Sequence, residues 1–74
     1  RKRILAAACD EFGAHGFAAT TVDRIARRAR VNKAMIYYHF GSKLDLYREV
    51  LREGFRELLE GLLEIFLAGQ RRER

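Results

Sequence analysis

Apolar residues recur at helical spacing in the first part of the chain. Five of them fall three or four positions apart along one face, namely Ile4, Leu5, Ala8, Cys9 and Phe12. This spacing predicts a helix from about residue 2 to residue 14. Gly16 follows soon afterwards and is a better candidate than Gly13 for a left-handed stop.

Two short helices separated by a tight turn are predicted next. Thr20 and Asp23 have the spacing of a capping box, so the second helix begins at Thr20 or Thr21 and ends near position 29. A turn follows, and Asn32 is a suitable N-cap for a third helix. We expect this third helix to run from position 33 to position 39 or 40.

A fourth, long helix is predicted for the remainder of the chain. Ser42 is its N-cap, with Asp45 at the capping-box position. Gly54 and Gly61 each cost about 1 kcal/mol relative to Ala in a helix interior, so the segment is either one helix or two. Its longest apolar stripe consists of Leu44, Tyr47, Leu51, Phe55, Leu58, Leu62 and Phe66. The acid–arginine pairs expected on its exposed face are Asp45–Arg48, Glu49–Arg52 and Glu53–Arg56.

These elements predict an all-α fold, in which a homeodomain-like three-helix unit contains a helix-turn-helix and a fourth long helix follows. The 74 residues are enough for one small domain. We expect the first and fourth helices to pack around the second and third. The predicted core consists of Ile4, Ala8, Phe12, Phe17, Val22, Ile25, Ala26, Val31, Ile36, Phe40, Leu44, Tyr47 and Leu51.

The net charge of +5 is unevenly distributed along the chain. Residues 1–43 contain nine Lys and Arg against three acids, whereas residues 44–74 contain six Arg against seven acids. A basic first part favours a polyanionic partner, which is either nucleic acid or an anionic membrane surface. The run from Arg1 to Arg3 is either a disordered start or a basic arm that enters a minor groove.

Cys9 is the single cysteine, which excludes an internal disulfide and fits a cytoplasmic location. Because it lies on the apolar stripe of the first helix, we expect it to be a small buried thiol. The spacings of Cys9, His15 and His39 match no zinc site, and no nucleophile has a plausible base. We therefore expect no metal, no cofactor and no enzyme.

No segment has the length and apolar content of a membrane span, and we expect no membrane partner.

The front of the third helix carries side chains suited to reading DNA. Lys33 can donate to guanine, and Ala34 can touch a thymine methyl group. Tyr38 lies off the inward face of the helix, and we expect it to contact DNA. Tyr37 either packs as a core aromatic or reaches a phosphate with its hydroxyl.

Phosphate contacts are expected on either side of this helix. The free N–H groups of helix N-termini bind phosphates, and Thr20, Thr21 and Lys43 lie at the starts of the second and fourth helices. His39 can bind a phosphate from the end of the third helix. Arg28 is either a phosphate ligand or part of an ordinary solvated face.

Two stretches, ILAAACDEFGAHGFAATTVDRIA and VNKAMIYYHFGSKLDLYREVL, combine residues in a pattern typical of one protein family. Through them, residues 3 to about 51 resemble the N-terminal DNA-binding domain of the tetracycline-repressor (TetR) family of bacterial transcription regulators. The resemblance implies a DNA-binding domain over 1–51, with its helix-turn-helix motif at about 21–40. It also implies that 52–74 is the helical start of a truncated effector-binding and dimerisation domain.

The resemblance further implies roles for individual residues. It implies that Lys33, Ala34 and Tyr38 read the bases. It also implies phosphate contacts from Thr21, Tyr37, His39 and Lys43. A homodimer is implied that binds double-stranded DNA at a palindromic operator, usually to repress. The missing C-terminal domain would form that dimer and bind a small-molecule effector. Arg30 stands where family members commonly have Gly. The turn tends to need φ > 0 at this position, and a residue other than glycine adopts that conformation at a cost of about 1 kcal/mol or more.

Two other functions remain compatible with the sequence. A helical protein-interaction module would carry its basic face incidentally. A membrane-surface module would use basic amphipathic helices to bind anionic lipid. Sequence-selective, salt-dependent DNA binding distinguishes a transcription regulator from both.

Overall fold

The computed structural model describes residues 1–72, which form four α-helices. These are α1 (Lys2–Ala19), α2 (Val22–Ala29), α3 (Lys33–Phe40) and α4 (Lys43–Arg72). α1 packs against α2 and α4, and α3 contacts the same two helices. Residues 1–72 contain no strand, so the predicted all-α fold with a helix-turn-helix is confirmed.

α1 extends beyond its predicted end at position 14 and reaches Ala19. Gly16 has φ 79° and ψ 168°, so the helix is kinked there rather than ended. The kink allows Phe17 to turn back toward the other helices, and its ring centroid lies 5.9 Å from that of Phe12 and 4.9 Å from that of Tyr47. Gly16 therefore has the positive φ expected of a stop, but one more turn follows it.

Short polar side chains cap the helices that follow. Thr21 Oγ1 accepts the N–H of Arg24 at 3.1 Å, and Asn32 Oδ1 accepts the N–H of Met35 at 2.9 Å. At the start of α4, Ser42 Oγ accepts the N–H of Asp45 at 3.0 Å. Each side chain satisfies one of the free N–H donors in the first turn, which is why the helices begin at these positions.

The turn between α2 and α3 depends on a left-handed residue. Arg30 has φ 60° and ψ 46°, the conformation in which the sequence leads us to expect glycine. Its N–H donates to the Arg27 carbonyl at 3.2 Å, and the Val31 N–H donates to the Ala26 carbonyl at 3.1 Å. These two hydrogen bonds form a Schellman motif, which closes α2. Arg3 adds a side-chain hydrogen bond from α1, 3.1 Å long, to the Ala29 carbonyl.

The core lies where α1, α2, α3 and the first turns of α4 meet. Most of the predicted core residues are confirmed as buried or half-buried, namely Ile4, Ala8, Phe12, Phe17, Val22, Ile25, Ala26, Val31, Ile36, Phe40 and Tyr47. The predictions for Leu44 and Leu51 are wrong, because these side chains are 44% and 54% exposed. Leu46 is fully buried instead, and Val50 packs one turn later. α4 thus packs on the core through Leu46, Tyr47 and Val50, and of its longest apolar stripe only Tyr47 takes part.

Cys9 is exposed, which corrects the expected buried thiol. It lines a groove between α1 and α4 together with Leu5, Val50 and Gly54. The groove is open to solvent, so Cys9 stays exposed although Val50 of α4 lines the same groove.

α4 is one continuous helix of 30 residues, and neither Gly54 nor Gly61 interrupts it. Its predicted pairs Arg48–Asp45, Arg52–Glu49 and Arg56–Glu53 form at 3.8, 2.6 and 2.6 Å. Beyond position 50 the large apolar side chains are all exposed, namely Leu51, Phe55, Leu58, Leu59, Leu62, Leu63, Ile65, Phe66 and Leu67. This apolar surface, which we call the α4 stripe, packs on nothing in residues 1–72.

Candidate nucleic-acid interface

The exposed side of α3 carries the predicted base readers. Lys33, Ala34, Tyr37 and Tyr38 are all exposed, and Tyr38 is the most exposed of them at 85%. Ile36 is fully buried and lies on the side of α3 opposite Ala34 and Tyr38. Because α3 is anchored through this inner side, its outer side is presented rigidly to solvent. The geometry suits insertion of one helix face into a major groove.

Three predicted phosphate ligands lie around α3. Thr21 is exposed at the N-terminus of α2, and His39 is exposed in the last turn of α3. Lys43 is the first residue of α4, and its Nζ lies 4.3 Å from the ring centroid of Phe17. This contact brings the start of α4 next to the end of α1, close in sequence to Thr21. Two helix N-termini and a basic side chain are therefore available near the reading helix.

Thr20 is not available to DNA, which corrects the predicted phosphate contact. Its side chain is fully buried. Its Oγ1 lies 2.8 Å from the Gly16 carbonyl and 3.0 Å from the Glu11 carbonyl, and donates its proton to them. Thr21 performs the capping that the spacing of Thr20 and Asp23 suggests. The hydroxyl of Thr20 instead holds the kinked end of α1 against its own preceding turns.

Arg28, a predicted phosphate ligand, is paired with two acids of α1. Its Nε donates to Glu11 Oε2 at 2.8 Å, and its Nη1 lies 3.4 Å from Asp10 Oδ2. The hydrogen bond to Glu11 is the main cause that raises the pKa of the Arg28 guanidinium. Arg28 therefore connects α2 to α1, and its charge is matched within the protein.

Glu11 is a buried acid that the sequence patterns did not single out. The residue is 5% exposed. Besides the bond to Arg28, its carboxylate lies 3.5 Å from Arg24 Nε and 3.7 Å from His15 Nε2. The hydrogen bond from Arg28 is the largest influence on the pKa of Glu11, which lies below its ordinary value. The available signal was an acid beside Phe12, at a position one turn after the buried Ala7 and Ala8.

Lys33 forms an ion pair on the exposed surface. Its Nζ lies 3.1 Å from Oδ1 of Asp23, in the first turn of α2. The hydrogen bond to this carboxylate is the main cause that raises the pKa of the Lys33 ammonium. The pairing of Asp23 with Arg27 along α2, which i,i+4 spacing favours, is replaced by this contact between helices.

The basic start of the chain is held against the protein. Arg1 forms an ion pair with Glu49 at 3.0 Å, and its guanidinium lies 4.9 Å from the ring centroid of Phe40. Arg3 binds the end of α2, as described above. The side chains of Arg1 and Arg3 are therefore bound within the fold, which argues against a disordered start.

None of the helices in the described residues 1–72 is both long enough and apolar enough to cross a membrane. Within the same residues, His, Cys, Asp and Glu side chains form no group of three or more that could hold a metal ion.

Known proteins resemble this chain over the same helices. The family described as "Bacterial regulatory proteins, tetR family" matches residues 4–50. The chain belongs to the TetR family. The match begins in α1 and ends in the second turn of α4, so it contains the core, the turn at Arg30 and all of α3. The resemblance noted in the sequence is thereby confirmed.

Individual TetR relatives show the extent of the similarity. The chain is 43% identical over 58 residues to the HTH-type transcriptional repressor SCO4008 of Streptomyces coelicolor, covering 78% of this chain and 30% of that protein. It is 42% identical over 62 residues to the HTH-type transcriptional activator FasR of Mycolicibacterium smegmatis, covering 84% of this chain and 28% of that protein. In both relatives the matched segment belongs to a protein named as a transcriptional regulator.

A solved structure shows the same TetR fold. The TetR-like transcriptional regulator from Rhodococcus sp. RHA1 superposes with a TM-score of 0.83 at 33% sequence identity, covering 85% of this chain and 34% of that one. The chain spans about a third or less of the length of these three relatives.

Proposed function

We propose that the chain binds double-stranded DNA sequence-selectively as the DNA-binding unit of a TetR-family transcriptional regulator. The observation that carries this proposal is the exposed surface of α3, where Lys33, Ala34 and Tyr38 face solvent while Ile36 is buried. Lys33 offers donors for guanine, and Ala34 offers a methyl contact for thymine. Tyr38 adds a large exposed ring that reaches beyond either side chain.

The phosphate contacts that we propose come from Thr21, Tyr37, His39 and Lys43. Thr21 and Lys43 lie at helix N-termini, where backbone N–H groups and the helix dipole favour an anion. Tyr37 and His39 are exposed on α3 and flank Tyr38. Thr20 is excluded, because its hydroxyl is buried and bound within the protein. Arg28 stays a proposed contact whose half-exposed guanidinium would exchange Glu11 and Asp10 for a phosphate.

We further propose that the chain acts as part of a homodimer on a palindromic operator. The α4 stripe supports the homodimer proposal, since a large exposed apolar surface marks a contact with another domain or another chain. Residues 1–51 would then form the DNA-binding domain, and 52–74 the helical start of a larger domain. That domain would form the dimer and bind a small-molecule effector. Two-fold symmetry in the protein would be matched by a palindrome in the DNA.

The regulatory effect that we propose is effector-responsive repression in the cytoplasm. A dimer that covers an operator excludes other proteins from that DNA, and an effector bound elsewhere can release it through differential affinity. One relative is named a repressor and another an activator, so the sign of the effect needs its own measurement. Transcription from the selected operator, with and without the full chain, measures it.

Selection from a random duplex library, using the full chain, tests the DNA-binding proposal. We expect an enriched motif, and we expect log affinity to fall linearly with log salt. Lys33→Ala should relax selectivity at one base position. Lys43→Ala should weaken all duplexes about equally and flatten the salt slope by about 0.9.

Arg52→Ala is the matched control for these variants. Arg52 is an exposed cation on α4 that pairs with Glu49, away from α3. Its loss should leave the motif unchanged. If no motif is enriched, the proposal is wrong, and anionic vesicles then test the membrane-surface alternative.

A further inference from the structure

Asp23 holds an unusual place in the helix-turn-helix. Residues 20–43 contain six Lys and Arg, and Asp23 is their single acid. It lies two positions after the cap Thr21, on the helix end proposed to grip a phosphate. A carboxylate there opposes the approach of a duplex, because it adds repulsion on a surface otherwise suited to anions.

The carboxylate of Asp23 is bound to the proposed base reader. Its Oδ1 lies 3.1 Å from Nζ of Lys33, the first residue of α3. Arg27 lies one turn away on α2 and offers a local partner, yet it forms no ion pair within the part of the chain that the structure describes. Asp23 therefore acts on the lysine that faces the major groove in our proposal.

We propose that Asp23 is a specificity-determining positioning residue, which restrains Lys33 so that its charge contributes to selected DNA sites more than to random ones. The inference rests on the proposed DNA binding. On a random duplex, Lys33 stays paired with Asp23 and neutralises no phosphate. On a selected site, Nζ keeps one of its three protons on the carboxylate and donates the other two to the O6 and N7 acceptors of guanine, so that no pairing energy is lost.

The size of the effect follows from the exposure of the pair. The side chains of Lys33 and Asp23 are 51% and 66% exposed, so the pair is screened and readily broken. Exposed pairs of this kind change an equilibrium about two- to fivefold. Asp23 is thus expected to adjust the ratio of selected to random binding within that range.

Asp23→Asn tests the inference, with Asp10→Asn as its matched control. Asp10 is similarly exposed, at 63%, and also pairs with a cation, Arg28, but it lies on α1. Both substitutions remove one negative charge from the full chain. We expect Asp23→Asn to raise the affinity for random duplex about two- to fivefold. The salt slope of binding to random duplex should steepen by about 0.9. The gain in affinity for the selected duplex should be smaller. Asp10→Asn should leave the ratio of the two affinities unchanged.

Two further variants separate restraint of Lys33 from other effects. Asp23→Glu keeps the charge and should retain the ratio of the unchanged chain. In a Lys33→Met background, Asp23→Asn should no longer alter the ratio, since its effect passes through the lysine. The inference is overturned if Asp23→Asn lowers the ratio of selected to random affinity as much in the Lys33→Met background as in the unchanged chain. It is also overturned if Asp10→Asn lowers this ratio as much as Asp23→Asn does. If the unchanged chain shows no selected motif, the DNA-binding proposal itself fails, which is a separate result.

Discussion

Glu11 and Arg28 join the first two helices through a hydrogen bond of 2.8 Å between Oε2 and Nε. The carboxylate is buried, and Arg24 and His15 approach it from two further sides. Since α2 carries the proposed phosphate cap and leads directly into the turn before α3, this contact fixes the helix-turn-helix on α1. The acid that determines this orientation lies outside the helix-turn-helix.

Glu11→Gln should lower the thermal midpoint by several degrees at neutral pH, because Arg28 loses a charged partner in a partly dry site. The pKa of Glu11 is lowered from its ordinary value of 4.5, so its stabilisation is present above that pH. The stabilisation is lost as the pH falls through the lower folded value. The difference between wild type and variant should therefore shrink in acid. Circular dichroism melts between neutral pH and pH 3 measure it.

Asp10→Asn is the control for this prediction. Asp10 touches the same guanidinium at 3.4 Å, but its side chain is exposed. Its loss should change the midpoint little. Equal effects of the two substitutions would show that burial of Glu11 has no importance.

Adjacent threonines should respond in opposite ways to loss of the hydroxyl. Thr20→Val removes the bonds to the Gly16 and Glu11 carbonyls and should cost about 1–3 kcal/mol of stability. Its DNA affinity, measured where the protein is folded, should stay the same. Thr21→Val should cost about 1 kcal/mol through the lost cap and should also weaken DNA binding. Denaturant melts and duplex titrations separate the two, and a DNA defect confined to Thr20→Val would contradict our assignment.

Arg30→Gly should stabilise the fold by up to about 1 kcal/mol. Arg30 has φ 60°, and a left-handed conformation costs a residue with a Cβ about 1–2 kcal/mol, part of which the greater freedom of Gly in the unfolded chain offsets. Arg27→Gly, three positions earlier within α2, should instead destabilise by about 1 kcal/mol. Urea unfolding of both variants provides the comparison. A loss of stability in Arg30→Gly would mean that the arginine side chain contributes more than its backbone costs.

Leu46→Ala should destabilise the fold by about 2–5 kcal/mol, because it opens a cavity in the core. Leu44→Ala, two residues earlier on the same helix, should cost about 1 kcal/mol or less. Unfolding free energies of the pair report which face of α4 meets α1. A larger loss at Leu44 would place the longest apolar stripe in the core after all.

The four helices were predictable because most of their boundaries are set locally, and only the end of α1 lies five residues later than predicted. Asn32 and Ser42 cap where they stand in the sequence, and Gly16 marks the expected conformational change. The positive φ at Arg30 could also be anticipated, although the residue type argued against it. Such signals need no knowledge of tertiary contacts.

The orientation of α4 was not predictable from apolar spacing. That helix has two apolar faces, and periodicity selects the longer one, which carries Leu44 and Leu51. The shorter face, with Leu46 and Val50, is the one that packs on the core. The pairing of Arg28 with Glu11 was not predictable for a related reason, since the two lie 17 positions apart and only folding brings them together.

Lys43 shows how the core prepares a surface contact. Its ammonium lies over the Phe17 ring, and that ring packs against Phe12 and Tyr47. A free lysine loses up to about 1.5–2 kcal/mol of side-chain entropy when it is immobilised. Because Phe17 already narrows the rotamers of Lys43 when the protein folds, part of this loss precedes any encounter with DNA. The phosphate contact that we propose is in this sense preorganised by an aromatic cluster that never meets the duplex.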